Sequence, residues 1–369
     1  LVKRESGKIS LRQNVPGRLK MLWNRLAQAF PFARLAVFGV FLMAEAFALT
    51  IQEGWQLVAR AESGDQTALQ TLVQAYQAQD PEAATGLGVL YLDGIVYPRD
   101  LARAKEYFDW AFSKGSAWAG YWLAVLYANG LGVPKDQEAS LRYADASAER
   151  GYVGGKLAGL LLRLAYGRLK YEDYVRQMEA EAAKAPEDPV SLGMRARLAL
   201  DRAGQAKSPE EQGGFLAEAR ELARKSAERS HYIYRNLYAY MLYFGLGGEP
   251  DQKRALQLAR PFAGFEPNAT GLLVWDLYFG NVQPQNRSQA CQLAGEYFAR
   301  PELRAGTLRT IYGLCLMDGG KRVEGFAHLL KATGLDPLFL PARALARDRA
   351  KELSKEELER AKALLKDLP

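Results

Sequence analysis

One pattern recurs along this chain and limits what it can become. An apolar residue, a small residue, two variable positions, an aromatic or leucine, two more positions and a glycine return in blocks that start at 82, 118, 233, 269 and 304. The line reads Leu87-Gly88-x-x-Tyr91-x-x-Gly94 in the first block and Leu123-Ala124-x-x-Tyr127-x-x-Gly130 in the second. It returns as Tyr238-Ala239-x-x-Leu242-x-x-Gly245, Leu273-Val274-x-x-Leu277-x-x-Gly280 and Tyr312-Gly313-x-x-Leu316-x-x-Gly319. Positions i, i+4 and i+7 share one face of a helix. The small residue beside them lets a partner helix approach. The glycine suits a helix end that turns into positive φ, where it loses nothing to a Cβ.

A second helix follows each time. Asp100, Asp136 and Asp251 stand where its first free amides need an acceptor, and Asn286 takes the same place in the fourth block. A small residue comes four positions later: Ala104, Ser140, Ala255 and Ala290. Tyr107 and Tyr143 then fall on the buried face. Each block is therefore a helix–turn–helix that cannot bury its own apolar face, and stacking the blocks makes one continuous core.

Gly130-x-Gly132-Val133-Pro134-x-Asp136 behind Leu123-Ala124-x-x-Tyr127-x-x-Gly130 resembles the Sel1-like repeat, a relative of the tetratricopeptide repeat. Residues 82–153 carry two well-formed copies and residues 233–340 three degenerate ones. Residues 154–232 read as divergent helical repeats. Residues 49–81 read as a degenerate N-terminal helix pair, turning at Ser63-Gly64-Asp65. Residues 341–369 read as a C-terminal capping helix that opens on the capping box Ser354-x-x-Glu357. Gln205 to Gly214, with Ser208-Pro209 and Gly213-Gly214, reads as a long loop. The resemblance implies an all-α fold, a right-handed α/α superhelical solenoid that binds proteins through a concave surface. It also implies the setting of many bacterial family members, which are exported and serve envelope assembly or secretion.

The net charge of +7 is misleading until it is located. Residues 1–34 hold eight basic residues against Glu5 alone, which already accounts for +7. The remainder is close to neutral, so the basic footprint of a nucleic-acid binder is missing from the folded body. Behind Arg34 runs the apolar stretch Leu35 to Ala44, too short to span a bilayer core. Basic segment, short apolar segment and Ala46-Phe47-Ala48 make a secretory signal that starts at Met21 and is cut after Ala48, with Ala44-Glu45-Ala46 as a second cutting point. Residues 1–20 would then be upstream translation. The expected location is periplasmic or secreted. The alternative is an uncleaved leader that tethers the chain to the inner membrane.

Chemistry-bearing residues are sparse. His231 and His328 are isolated and read as structural. No metal-ligand spacing, phosphate loop or nucleophile motif occurs, so no metal, no cofactor and no enzymatic activity are expected. The carboxylates Glu179, Glu181, Glu218, Glu221 and Glu228 sit at helix-face spacing and read as solvated. A polysaccharide hydrolase would need two of them converging across a cleft. Cys291 and Cys315 fall on helices that a solenoid makes neighbours. A disulfide between them is one reading for an exported chain; two buried free thiols are the other.

Aromatics off the repeat's own columns supply the candidate partner-binding residues. These are Trp118, Tyr121 and Trp122 in one first helix, Tyr234, Tyr240 and Tyr243 in another, and Trp275 and Tyr278 in a third. If first helices line the concave face, these rings are anchors for a protein partner. Inter-helix packing is their competing role. The sequence thus reads as an exported scaffold for proteins. A component that binds envelope glycan through stacked rings is the alternative.

Overall fold

A computed structural model describes residues 48–229, 232–335 and 340–368, and the described residues from Leu49 onward form one compact unit. Of the leader expected over residues 1–48, all but Ala48 lies outside the described residues, as does His231. Among the described residues there are eighteen α-helices and no strand. They run as nine successive pairs. The first is α1 (Ile51–Glu62) with α2 (Gln66–Gln77), then α3 (Pro81–Asp93) with α4 (Leu101–Ser113), and α5 (Ala117–Asn129) with α6 (Gln137–Glu149). Next come α7 (Val153–Ala165) with α8 (Tyr171–Ala182), and α9 (Pro189–Gln205) with α10 (Pro209–Ala227). The second half holds α11 (Tyr232–Phe244) with α12 (Gln252–Ala259), α13 (Pro267–Phe279) with α14 (Arg287–Phe298), and α15 (Gly306–Asp318) with α16 (Arg322–Leu335). Helices α17 (Leu340–Ala350) and α18 (Lys355–Leu364) close the series.

The repeat line explains the geometry of each pair. Gly94, Gly130 and Gly280 cap their helices in the left-handed region, with φ of 75°, 71° and 75°, and Gly245 has φ of 68°. The cap residue of the second helix then does two jobs. Its side chain accepts from the amide three residues on, at 2.9 Å for Asp100, Asp136 and Asp251 and 3.0 Å for Asn286. Its own N–H reaches back to the carbonyl of Tyr91, Tyr127, Leu242 or Leu277, at 2.8 to 3.0 Å. One residue thus satisfies the start of one helix and an orphan carbonyl at the end of the other. Ala104, Ser140, Ala255 and Ala290, four residues past the cap, are wholly buried where the helices approach.

Three local expectations fail for identifiable reasons. The loop expected over Gln205 to Gly214 shrinks to three residues, because Ser208 caps α10 and Pro209 with Glu210 and Glu211 opens it. Gly213 and Gly214 lie inside that helix with open space around them. In the last repeat Gly319 has φ of −83° and the positive φ passes to Gly320, at 87°. The turn there is cut short, since α16 begins at Arg322. The C-terminal stretch also differs: two helices stand where one capping helix was expected, and the Ser354–Glu357 capping box opens the second.

Helix α5 makes the strongest demand on the rest of the fold. Every side chain from Ala117 to Leu126 is buried, so α5 is apolar all round and needs cover on all sides. Its neighbour in sequence covers only one face.

Close packing is set by glycines at a few points. A Cβ on Gly193 of α9 would stand 2.0 Å from the Tyr234 ring of α11. Gly193→Ala should therefore cost about 1–3 kcal/mol by overpacking. Gly204→Ala, on the same helix with open space around it, should instead stabilise by about 0.5–1 kcal/mol. Paired denaturant melts of the two variants check both signs.

Candidate functional site

The eight aromatics expected on an open groove are all inside the molecule. Trp118 and Trp122 have no exposed surface, and Tyr121, Tyr243, Trp275 and Tyr278 are at most 5% exposed; Tyr234 and Tyr240 reach 7%. Trp118 packs on Trp55 of α1, ring centroids 4.6 Å apart. Trp122 lies between Trp55 and Phe108 on one side and Tyr232 of α11 on the other, with the Tyr232 ring stacked at 6.0 Å. Tyr232 in turn stacks on Phe262 at 6.0 Å. Tyr121 meets Tyr152 edge to face, and Tyr234 fills the space above Gly193. Tyr240 and Tyr243 pack on Phe244, which meets Trp275. The hydroxyls of Tyr243 and Tyr278 donate to Asp276 and Asp318 at 2.8 and 2.6 Å.

Through Tyr232 the second half of the same chain covers part of α5, beside Trp55, Phe108 and Tyr152 of the first half. Two further links join the halves. Arg235 of α11 forms an ion pair with Glu62 at the end of α1, 173 residues away in sequence, and both side chains are less than 10% exposed. Arg99 lies over the Phe265 ring at 3.3 Å, beside a cleft of about 610 Å³ that Lys135 and Arg300 also line. Asp93 is buried next to Glu62. Burial first, and the nearby Glu62 second, push its carboxyl well above the usual carboxylate range, which favours the protonated form. One sequence signal marks this cluster: charges at 93 and 235 that follow or interrupt apolar helical runs.

His328 is buried between the Phe298 and Tyr312 rings, both edge to face, with Arg309 Nη1 3.3 Å from its Nδ1. Burial, with Arg309 adding repulsion, lowers its pKa to about 4, so it is a neutral packing residue at pH 7. Cys291 of α14 and Cys315 of α15 are joined by a disulfide, Cα atoms 5.4 Å apart. No group of three or more metal-ligating side chains comes together among the described residues.

A larger cleft lies elsewhere among the described residues, and the sequence did not point to it. It has about 880 Å³ and is walled by the start of α1, the α6–α7 turn and the α8–α9 turn. Trp55 and Tyr152 lie nearly buried at its base, the Tyr152 hydroxyl accepting from the Trp55 indole N–H at 3.3 Å, and Ile51, Val153 and Pro186 bring the accessible apolar surface to it. Its rim is charged with both signs: Lys156, Lys184 and Arg229 face Glu149, Glu181, Glu187 and Asp188. Lys184 and Arg229 are engaged with Glu181 and Glu187, whereas Lys156 has no carboxylate within ion-pair reach among the described residues. Of the surface carboxylates expected to be solvated, only Glu181 reaches this rim. An apolar floor inside a charged rim is the usual build of a protein-docking patch.

Asp188 is the cap of α9, accepting from Val190 and Ser191 amides at 2.9 and 3.1 Å. Burial nevertheless pushes its carboxyl up to about 6, because those bonds and Tyr152 only partly offset desolvation.

The Sel1 repeat model matches residues 81–116, 119–152 and 235–263. It therefore covers the second and third helix pairs, which are the two well-formed repeats, and most of the sixth, the first of the three degenerate ones. No curated protein matches the chain. Among solved structures, the chain is similar to a protective antigen present in uropathogenic Escherichia coli strains that displays an SLR fold, at 20% identity over 85% of this chain and 67% of the other, with a TM-score of 0.36. It is also similar to a Sel1 repeat protein from Oxalobacter formigenes, at 18% identity over 68% and 99% of the two chains, with a TM-score of 0.33. Sel1 repeats generally mediate protein–protein interaction, on a fold that is typically not catalytic.

Because the folded pKa of Asp188 lies above its unfolded value near 4, its contribution to stability is full below pH 4 and is lost as pH rises through about 6. Asp188→Asn keeps a good helix cap and removes the ionisation. Relative to wild type, the variant should gain on the order of 1–3 kcal/mol between pH 4 and pH 7, read from denaturant midpoints at each pH. Along its series of helix pairs the chain carries three Sel1 repeats.

Proposed function

We propose that this chain is an exported scaffold that binds an extended segment of a partner protein in the cleft over Trp55 and Tyr152. The observation that carries the reading is the combination of Sel1 repeats with an inner face already filled by the chain itself. A scaffold of this kind must present its docking surface elsewhere. The cleft has the size of a binding pocket and an apolar floor at which a large partner side chain would be desolvated. Its mixed rim suits a segment with both charge signs, and Lys156 is placed to take a partner carboxylate. A glycan platform would need exposed rings; the aromatics suggested for that role are buried.

Export is supported by two independent features. The leader has the layout of a secretory signal. The Cys291–Cys315 bond belongs to an oxidising compartment, since cytosolic thiols are kept reduced. No helix among the described residues is long and apolar enough to cross a membrane. The protein then works in the envelope or outside the cell, in assembly or secretion.

Two measurements check the reading. Native protein denatured without reductant should show no reactive thiol; two reactive thiols would place it in a reducing compartment. A photo-crosslinker at Gln52, on the cleft, should capture one discrete partner, and adding Lys156→Glu should weaken that adduct several-fold. A crosslinker at Lys362, on the exposed part of α18, should capture none. Equal adducts from both positions would remove the cleft from the account.

A further inference from the structure

Asp80 is a carboxylate in an unusual position. It is 6% exposed, and no side-chain cation among the described residues lies within ion-pair distance. One oxygen, Oδ1, caps α3 by accepting from the Ala83 amide at 2.7 Å. The other, Oδ2, accepts from the backbone N–H of Leu49, also at 2.7 Å. A buried charge normally has a charged partner, and here the nearest donor is a neutral main-chain amide. That amide sits at the boundary where the compact unit begins, directly behind the Ala46-Phe47-Ala48 pattern. Ala48 itself is exposed, while Leu49 is half-buried against the core.

We propose that the Ala48–Leu49 peptide bond is a processing site and that the α-ammonium released on Leu49 becomes the cation of Asp80. The proposal rests on the export reading above and goes further, by assigning the new terminus a partner. An endopeptidase that removes leaders adds water across the bond. The C–N bond breaks, Ala48 departs as a carboxylate, and the Leu49 nitrogen takes up protons to become an ammonium. The nitrogen keeps its place against Oδ2, so a neutral hydrogen bond becomes a charge-assisted one.

The local electrostatics explain why the acid is needed. The ammonium lies one residue before Thr50, the cap of α1, at the positive end of that helix, where a cation is unfavourable. Glu53, whose carboxylate accepts from the Thr50 amide at 2.8 Å, offsets part of this. Asp80 offsets the rest and at the same time faces the positive end of α3. Cutting the chain thus ties α1 to α3. Cutting one residue earlier would move the ammonium off the carboxylate.

The test uses the full chain, exported from a Gram-negative host, beside a variant with one alanine inserted between Ala48 and Leu49. Each is made with and without Asp80→Asn, which preserves the cap of α3. Intact mass gives the N-terminus and thermal melts give the stability. The exported product should begin at Leu49 and melt about 2 °C or more above the product that carries the extra alanine. Asp80→Asn should shrink that difference, lowering the first product more than the second, which loses only a neutral hydrogen bond from the Leu49 amide. If Asp80→Asn lowers both products equally, Asp80 is a cap only and the ion pair is overturned while export stands. A product cut at another bond overturns the processing site but not export. An uncut product left in the cytosol overturns the export reading and this proposal together.

Discussion

A helix that is apolar on every face cannot line an open groove. Helix α5 buries each side chain from Ala117 to Leu126, and its partner α6 covers one side only. Other sides are covered by Trp55 from the first pair, Phe108 from the second, Tyr152 at the start of the fourth and Tyr232 from the sixth. That requirement draws the two halves of the repeat array together. Once they meet, the surface on which repeat arrays commonly hold their partners is spent on the protein's own folding. The binding role moves to a cleft between the start of the first pair and the turns of the middle pairs.

The contact between the halves is apolar in the main but carries a charged centre. Glu62 and Arg235 are paired with almost no water access, and Asp93 sits beside them with its protonated form favoured. Desolvating such a pair offsets most of its attraction, so it adds little net stability over well-packed apolar residues. Its effect is on register. A one-turn slip of α11 against α1 would leave both charges buried without a partner, which costs several kcal/mol. The stacked rings of Trp122, Tyr232 and Phe262 supply the attraction; the ion pair restricts where it is satisfied.

The sequence was informative where the physics is local. Gly94, Gly130, Gly245 and Gly280, the Asp and Asn caps and the small residue four positions later stand where the spacing put them, because each is decided within one pair. It misled where local signals compete. Gly213-Gly214 suggested a loop, yet the Ser208 cap and Pro209 start a helix that runs through both. Gly319 matched the repeat line, but a shortened turn moved the left-handed position to Gly320. The site was the least legible part. Trp118 and Trp122 look alike whether they face a partner or the chain's own distant helix, since spacing reports a face and not what covers it. Trp55, Tyr152 and Asp188 come from three separate pairs, and nothing in their own segments shows that the solenoid brings them to one cleft.

The closing of the halves is the central claim, and a double-mutant cycle on Glu62 and Arg235 tests it most directly. Glu62→Gln and Arg235→Met should each be strongly destabilising, by about 3–5 kcal/mol, because each leaves a buried charge without its partner. The double variant removes both charges, so it should be more stable than the sum of the single losses, by at least about 1 kcal/mol in denaturant melts. Losses that add within about 0.5 kcal/mol would mean that the two residues do not meet, and that the inner face of the repeats is open after all.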